Sequence, residues 1–288
     1  VSFAQTVLLG ALAGLTIFLG LPAGRLRLLS SRARVGLAMF AVGILAFIFV
    51  DVLGHANQIV EGALSAFKHH HASFAHLAGM TVLLIGGFAA GSAGLGLVER
   101  QLRRRTPQAP VPVAGGSDAA AFSPPEVRAM DAQAANARRR ALQTGLVIAL
   151  AIGLHNFAEG LAIGVSARSG AVSLATVLII GFALHNATEG FGIVGPLGAI
   201  TPSWRWLGLA GIIGGGPTFL GTIVGYQVTS QALELCFYAL AAGAILYVIG
   251  EIWHGMRRYG HRELGLMLLA AGFAAGVLTD LVVAYGGG

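Results

Sequence analysis

The chain has 288 residues, 56% hydrophobic and 10% charged, with a formal net charge of +6 and one cysteine, Cys236. About a quarter of the residues in a soluble domain are charged, so composition excludes a soluble globular protein and indicates an integral membrane protein. A single cysteine also excludes an intramolecular disulfide framework and a cysteine-rich metal site.

Apolar stretches near the roughly 20 residues needed to cross a bilayer fall at about 3–22, 35–54, 76–98, 141–165, 172–198, 206–229, 232–252 and 263–284. The fold expected is all-α, with eight transmembrane helices. The first span does not read as a signal peptide, because no basic residue precedes it and an arginine cluster follows it. Gly195-Pro196 is expected to end or kink the fifth. The 43 glycines suit helices packed closely in lipid. Residues 1–98 hold spans one to three. Residues 99–140 carry Pro107, Pro110, Pro112, Gly115, Gly116, Pro124 and Pro125, and read as a flexible cytoplasmic linker with a short helix from 125 onward. Residues 141–288 hold spans four to eight.

The cations are distributed unevenly. Arg25, Arg27, Arg32 and Arg34 follow span one; Arg100, Arg103, Arg104, Arg105, Arg128, Arg138, Arg139 and Arg140 follow span three; Arg205, Arg257, Arg258 and Arg262 lie in the later odd-numbered loops. Of the 18 Lys and Arg residues, only Lys68 and Arg168 fall in even-numbered loops. The positive-inside rule then places odd loops in the cytoplasm and both termini outside a cell inner (plasma) membrane. This distribution explains the net charge without nucleic acid.

Within the most apolar part of the chain, "LHNFAEG" at Leu154–Gly160 is echoed by "LHNATEG" at Leu184–Gly190. His155 and Glu159, and again His185 and Glu189, are four residues apart and share a helix face. His155 lies fifteen residues beyond Arg140, roughly 22 Å in; His185 lies twelve beyond Ser173, roughly 18 Å in. Both are at mid-membrane. Antiparallel pairing of the two helices sets His155 level with Glu189 and Glu159 level with His185. A carboxylate in hydrocarbon needs a partner, and no Lys or Arg lies near the motif in depth. Two neutral imidazoles and two carboxylates sum to −2, which a divalent cation neutralises. Histidine with carboxylate suits Zn²⁺, Fe²⁺ or Mn²⁺. Asn156 and Asn186, one residue round, are placed to bind a second ion, hold water or orient the carboxylates.

These residues resemble a known family. "HNFAEGLAIGV" is similar to the fourth-helix signature of the ZIP (Zrt/Irt-like) metal transporters, and "HNATEG" to the fifth. The eight spans, outside termini and long third loop match as well, and the composition hints at a prokaryotic member. The resemblance implies uptake of a divalent metal, Zn²⁺ or possibly Fe²⁺, Mn²⁺ or Cd²⁺, as transported substrate. It implies spans 1–3 and 6–8 related as inverted repeats around spans 4–5. It implies metal binding by His155, Asn156, Glu159, His185, Asn186 and Glu189. The chain departs from the family's H-N-x-P-E-G at Ala158 and Thr188. The span-six acid of several members is replaced by Gly214-Gly215-Gly216-Pro217, so one principal ion is expected.

Asp51 and His55, at i, i+4 near the outer end of span two, form an expected entrance relay. Glu251 and His254, at i, i+3 near the inner end of span seven, form an expected exit relay. His69, His70, His71 and His76 lie in an outer loop, and Glu61 and Glu234 add negative potential to the same mouth. Alternating access is the expected mechanism. The other readings are an intramembrane zinc-dependent hydrolase, disfavoured by the absence of H-E-x-x-H spacing, and a metal exporter. The expected partners are the ion and the lipid bilayer, with a homodimer left open.

Overall fold

A computed structural model of the chain describes residues 2–26, 30–104, 124–168, 185–198, 200–227 and 230–287. These residues form helices α1 (Phe3–Leu15), α2 (Ile17–Gly20), α3 (Ser31–Lys68), α4 (Phe74–Arg104), α5 (Pro124–Arg168), α6 (185–194), α7 (Trp204–Gln227), α8 (Gln231–Arg257) and α9 (Arg262–Gly287). Among the described residues, seven helices are long and apolar enough to cross a membrane. They correspond to predicted spans one to four and six to eight. The first half of predicted span five, 172–184, lies outside the described residues, as do the connection at 169–171 and the Pro/Gly stretch 107–116. Of the segment 99–140, residues 99–104 prolong α4 and 124–140 open α5.

Helix α3 runs well past its predicted end at 54. Its 38 residues span roughly 57 Å, about twice a hydrocarbon core. No proline interrupts residues 55–68, and Ala, Leu, Glu and Lys there favour helix.

Packing sorts the helices into two sets. Helices α1, α5 and α7 pack along one another; α3, α4, α8 and α9 form the second set, through α3–α9, α4–α8 and α3–α8 interfaces. The main joint between the sets is α5 against α8. This pairing is what inverted repeats require, since exchanging spans 1–3 with 6–8 turns the α3–α9 interface into α8–α4. The register supports it in detail. Ser30 caps α3 and Ser230 caps α8, and every buried residue of α8 lies 200 positions beyond a buried residue of α3. A methyl group on Gly43 would strike the carbonyl of Leu269, and one on Gly243 the carbonyl of Phe88. Glycine is used there because two helix backbones touch.

One end of the bundle is held by arginines. Between α6 and α7 lies a single 3-10 turn, Gly195–Leu197, and the carbonyls of Pro196, Gly198, Thr201 and Pro202 need donors. Arg258 donates to Pro196 O (2.9 Å), Arg34 to Gly198 O, Arg138 to Thr201 O (3.4 Å) and Arg25 to Pro202 O. Arg25 also lies 4.8 Å from the Trp204 ring centroid. These cations therefore clasp an irregular segment as well as marking one side of the membrane.

Candidate metal centre

The centre forms where α5 meets α6. Helix α5 runs unbroken through Ala158, so His155 and Glu159 stand one turn apart on one face. Helix α6 presents His185 and Glu189 in the same way, and Thr188 donates to its own helix at His185 O (2.7 Å) where the family pattern has proline. The cross-pairs are those of the antiparallel register. His185 Nε2 contacts Glu159 Oε1. His155 Nε2 lies 3.7 Å from Glu189 Oε1 and 2.9 Å from Glu159 Oε1. The two imidazole centroids are 6.4 Å apart. Ligand-capable atoms of His155, Glu159 and His185 all fall within 4.8 Å of one another.

The group is enclosed. His155, Glu159 and Glu189 are buried, and His185 is 14% exposed on its side chain. Among the described residues no Lys or Arg pairs with either carboxylate. Glu159 Oε2 and Glu189 Oε1 have no hydrogen-bond partner. With neutral imidazoles the site carries −2 in a medium that penalises uncompensated charge. A divalent cation would cancel that charge and take up the unpaired oxygens.

The two asparagines fasten this pair of helices to their neighbours. Asn156 Nδ2 donates to Gly214 O on α7 (2.9 Å) and to Glu189 Oε2 (3.2 Å). Asn186 Nδ2 donates to Ala13 O on α1 (3.1 Å). The acceptors are equivalent in the two repeats: Ala13 lies three residues before the α1–α2 break at Thr16, and Gly214 three before Pro217 inside α7. Each amide nitrogen is thus held while each amide oxygen is left without a hydrogen-bond partner. That arrangement leaves two buried neutral oxygens, each on the residue after a histidine of the paired motif.

The relay residues fare differently. Asp51 and His55 approach to 3.5 Å midway along α3, which runs on to Lys68 beyond the predicted end of the span, both part-exposed, and Asp51 is within electrostatic reach of His155, Glu159 and Asp280. The His55 ring lies 5.8 Å from Tyr238, whose hydroxyl donates to Glu234 (3.3 Å). At the other end Glu251 is half-buried whereas His254 is exposed. Glu99 was missed by the sequence reading, which ended span three at 98. It is 6% exposed and accepts from Thr144 on α5 and Tyr247 on α8, each at 2.8 Å. The internal repeat held a signal for it: the offset relating α4 to α9 pairs Glu99 with Asp280, as that relating α3 to α8 pairs Asp51 with Glu251.

Fold and site together define a class: a polytopic helical membrane protein whose core holds side chains suited to a divalent cation. Residues 106–249, which include all six residues of the paired motif, match the ZIP zinc transporter family. The chain belongs to that family and is a divalent-metal transporter. A search of curated proteins found no match to it.

Proposed function

We propose that the chain takes up a divalent transition metal, zinc foremost and also Fe²⁺, Mn²⁺ or Cd²⁺, through a single principal site made by His155, Glu159, His185 and Glu189. The observation carrying this reading is their convergence from two helices into a buried cluster with no cationic partner among the described residues. Asn156 and Asn186 would complete the site through their oxygens. Binding would release any proton held by the empty site, because a metal ligand must be deprotonated.

Movement of the ion follows from the two helix sets. The centre lies on α5 and α6, and α5 meets the second set chiefly at α8, so displacement of one set against the other would present the site to each side in turn. Paired acids mark a route: Asp51 and Asp280 beyond one end of the centre, Glu251 and Glu99 beyond the other. Asp51 with His55 would receive the ion, and Glu251 with His254 would pass it on. The arginine-bearing end is read as cytoplasmic, with both termini extracytoplasmic in a bacterial inner membrane and transport directed inward.

Uptake of ⁶⁵Zn²⁺ into proteoliposomes tests the proposal. Glu159→Ala and Glu189→Ala should each reduce uptake at least about tenfold, the scale of losing one good ligand. Wild-type uptake by both variants would refute it.

A further inference from the structure

At the arginine-bearing end a groove of about 450 Å³ opens between the ends of α3, α8 and α9. Its wall is apolar, from Val35, Met39, Trp253, Met256 and Leu266, and its rim carries Arg257, His261 and Arg262. It adjoins a second hollow of about 610 Å³, lined by Arg32 and again by His261 and Arg262. Arginines around these hollows differ in what they do. Arg25, Arg34, Arg138 and Arg258 donate to carbonyls of the α6–α7 segment. Arg32, Arg257 and Arg262 make no ion pair or hydrogen bond among the described residues, and all three are exposed. The one carboxylate in these hollows, Glu263, leaves the rim net positive.

The groove is built to last. His261 Nε2 lies 3.2 Å from Ser31 Oγ, tying the α8–α9 turn to the start of α3. That turn is a tight one, with Gly260 at φ 70° and His261 at φ 57°. Gly265 lets the Met39 side chain lie against α9, since a methyl there would sit 3.3 Å from Met39 Cγ. Trp253, 37% exposed, lies one turn before Arg257 at the end of α8, the setting in which tryptophan anchors a helix at the headgroup level.

An apolar trough that opens onto the exposed guanidinium groups of Arg257 and Arg262, with that of Arg32 in the adjoining hollow, complements one kind of molecule. We infer that this groove binds an anionic phospholipid of the adjoining leaflet, with its phosphate against Arg257, Arg262 and Arg32 and one acyl chain along Met39, Met256 and Leu266. Basic pockets between transmembrane helices bind acidic headgroups by this charge complementarity. The inference does not depend on what the protein transports.

Native mass spectrometry of the full-length detergent-solubilised protein, titrated with phosphatidylglycerol and with phosphatidylcholine of equal chain length, measures the preference. Wild type should bind the anionic lipid at least about fivefold more tightly, the scale of one arginine–headgroup contact. In Arg32→Gln/Arg257→Gln/Arg262→Gln the ratio should fall toward one. In Arg100→Gln/Arg104→Gln/Arg139→Gln, which removes equal charge away from the groove, it should persist. Equal binding of the two lipids by wild type, survival of the preference in the first variant, or its equal loss in the second overturns the inference. A readout independent of the arginine variants is fluorescence quenching by phosphatidylglycerol brominated on its acyl chain. Wild type should be quenched more strongly than by brominated phosphatidylcholine, and Trp253→Phe should remove that excess. An excess that persists without Trp253 places the lipid elsewhere and overturns the site.

Discussion

Glu159 touches both imidazoles, whereas Glu189 reaches His155 at 3.7 Å and is tied to Asn156 through its other oxygen. The two carboxylates are therefore not equivalent. Glu159→Gln should weaken Zn²⁺ binding more than Glu189→Gln, by at least about tenfold against wild type for the former; isothermal titration in detergent measures both. Asn156 and Asn186 predict a second effect. Their side chains satisfy backbone carbonyls that lie 58 and 173 positions away. Asn156→Ala and Asn186→Ala should each lower stability by about 1–2 kcal/mol, the cost of a lost buried hydrogen bond, even without metal. Chemical unfolding of the metal-free protein, followed by circular dichroism, gives that number, and an unchanged midpoint would remove the fastening role. The pairing of His with Glu was legible from spacing alone because i and i+4 share a helix face whatever surrounds it. The asparagines' acceptors were not, because a backbone carbonyl carries no sequence identity.

Helices α5 and α7 meet over glycines at matching intervals, Gly160 and Gly164 facing Gly221 and Gly225, while Gly153 lies against the Ile213 carbonyl. A methyl group on Gly221 would strike the Phe157 carbonyl, and backbone cannot move aside cheaply. Gly208, on the same helix, has nothing within 4 Å of where its methyl would lie. Gly221→Ala should thus destabilise by about 1–3 kcal/mol, while Gly208→Ala should be neutral or slightly stabilising, since alanine is the better helix former. Thermal unfolding of both variants in one detergent compares them directly. High glycine content was plain in the sequence. Which glycines are contacts and which are spacers depends on the neighbour each one faces.

The two helix sets are joined at the arginine-bearing end by Glu99, which takes hydrogen bonds from Thr144 in one set and Tyr247 in the other. If the sets move during transport, the Thr144 bond must break or shift. A double-mutant cycle of Thr144→Val and Glu99→Gln should return a coupling of about 0.5–2 kcal/mol, and each single variant should change the maximal uptake rate more than zinc affinity. A coupling near zero would remove the joint. The repeat relationship carries a further expectation about the route. Asp51→Asn should raise KM for zinc with little change in kcat, as for a residue met before the centre, whereas Glu251→Gln should lower kcat. Steady-state uptake in proteoliposomes separates the two.

Hydropathy by itself determined that this is a helical membrane protein, because a segment in lipid must satisfy its own backbone and only a helix does so locally. Spacing by itself determined that each His and Glu of the paired motif share a helix face, since intrahelical spacing is local geometry. Only the tertiary structure decided that the buried face of α3 recurs 200 residues on in α8, that Glu99 bridges three helices, and that some arginines clasp carbonyls while others rim a groove. Those properties belong to contacts between helices distant in the chain. Their partners are backbone atoms and small side chains, which leave almost no trace in composition or period.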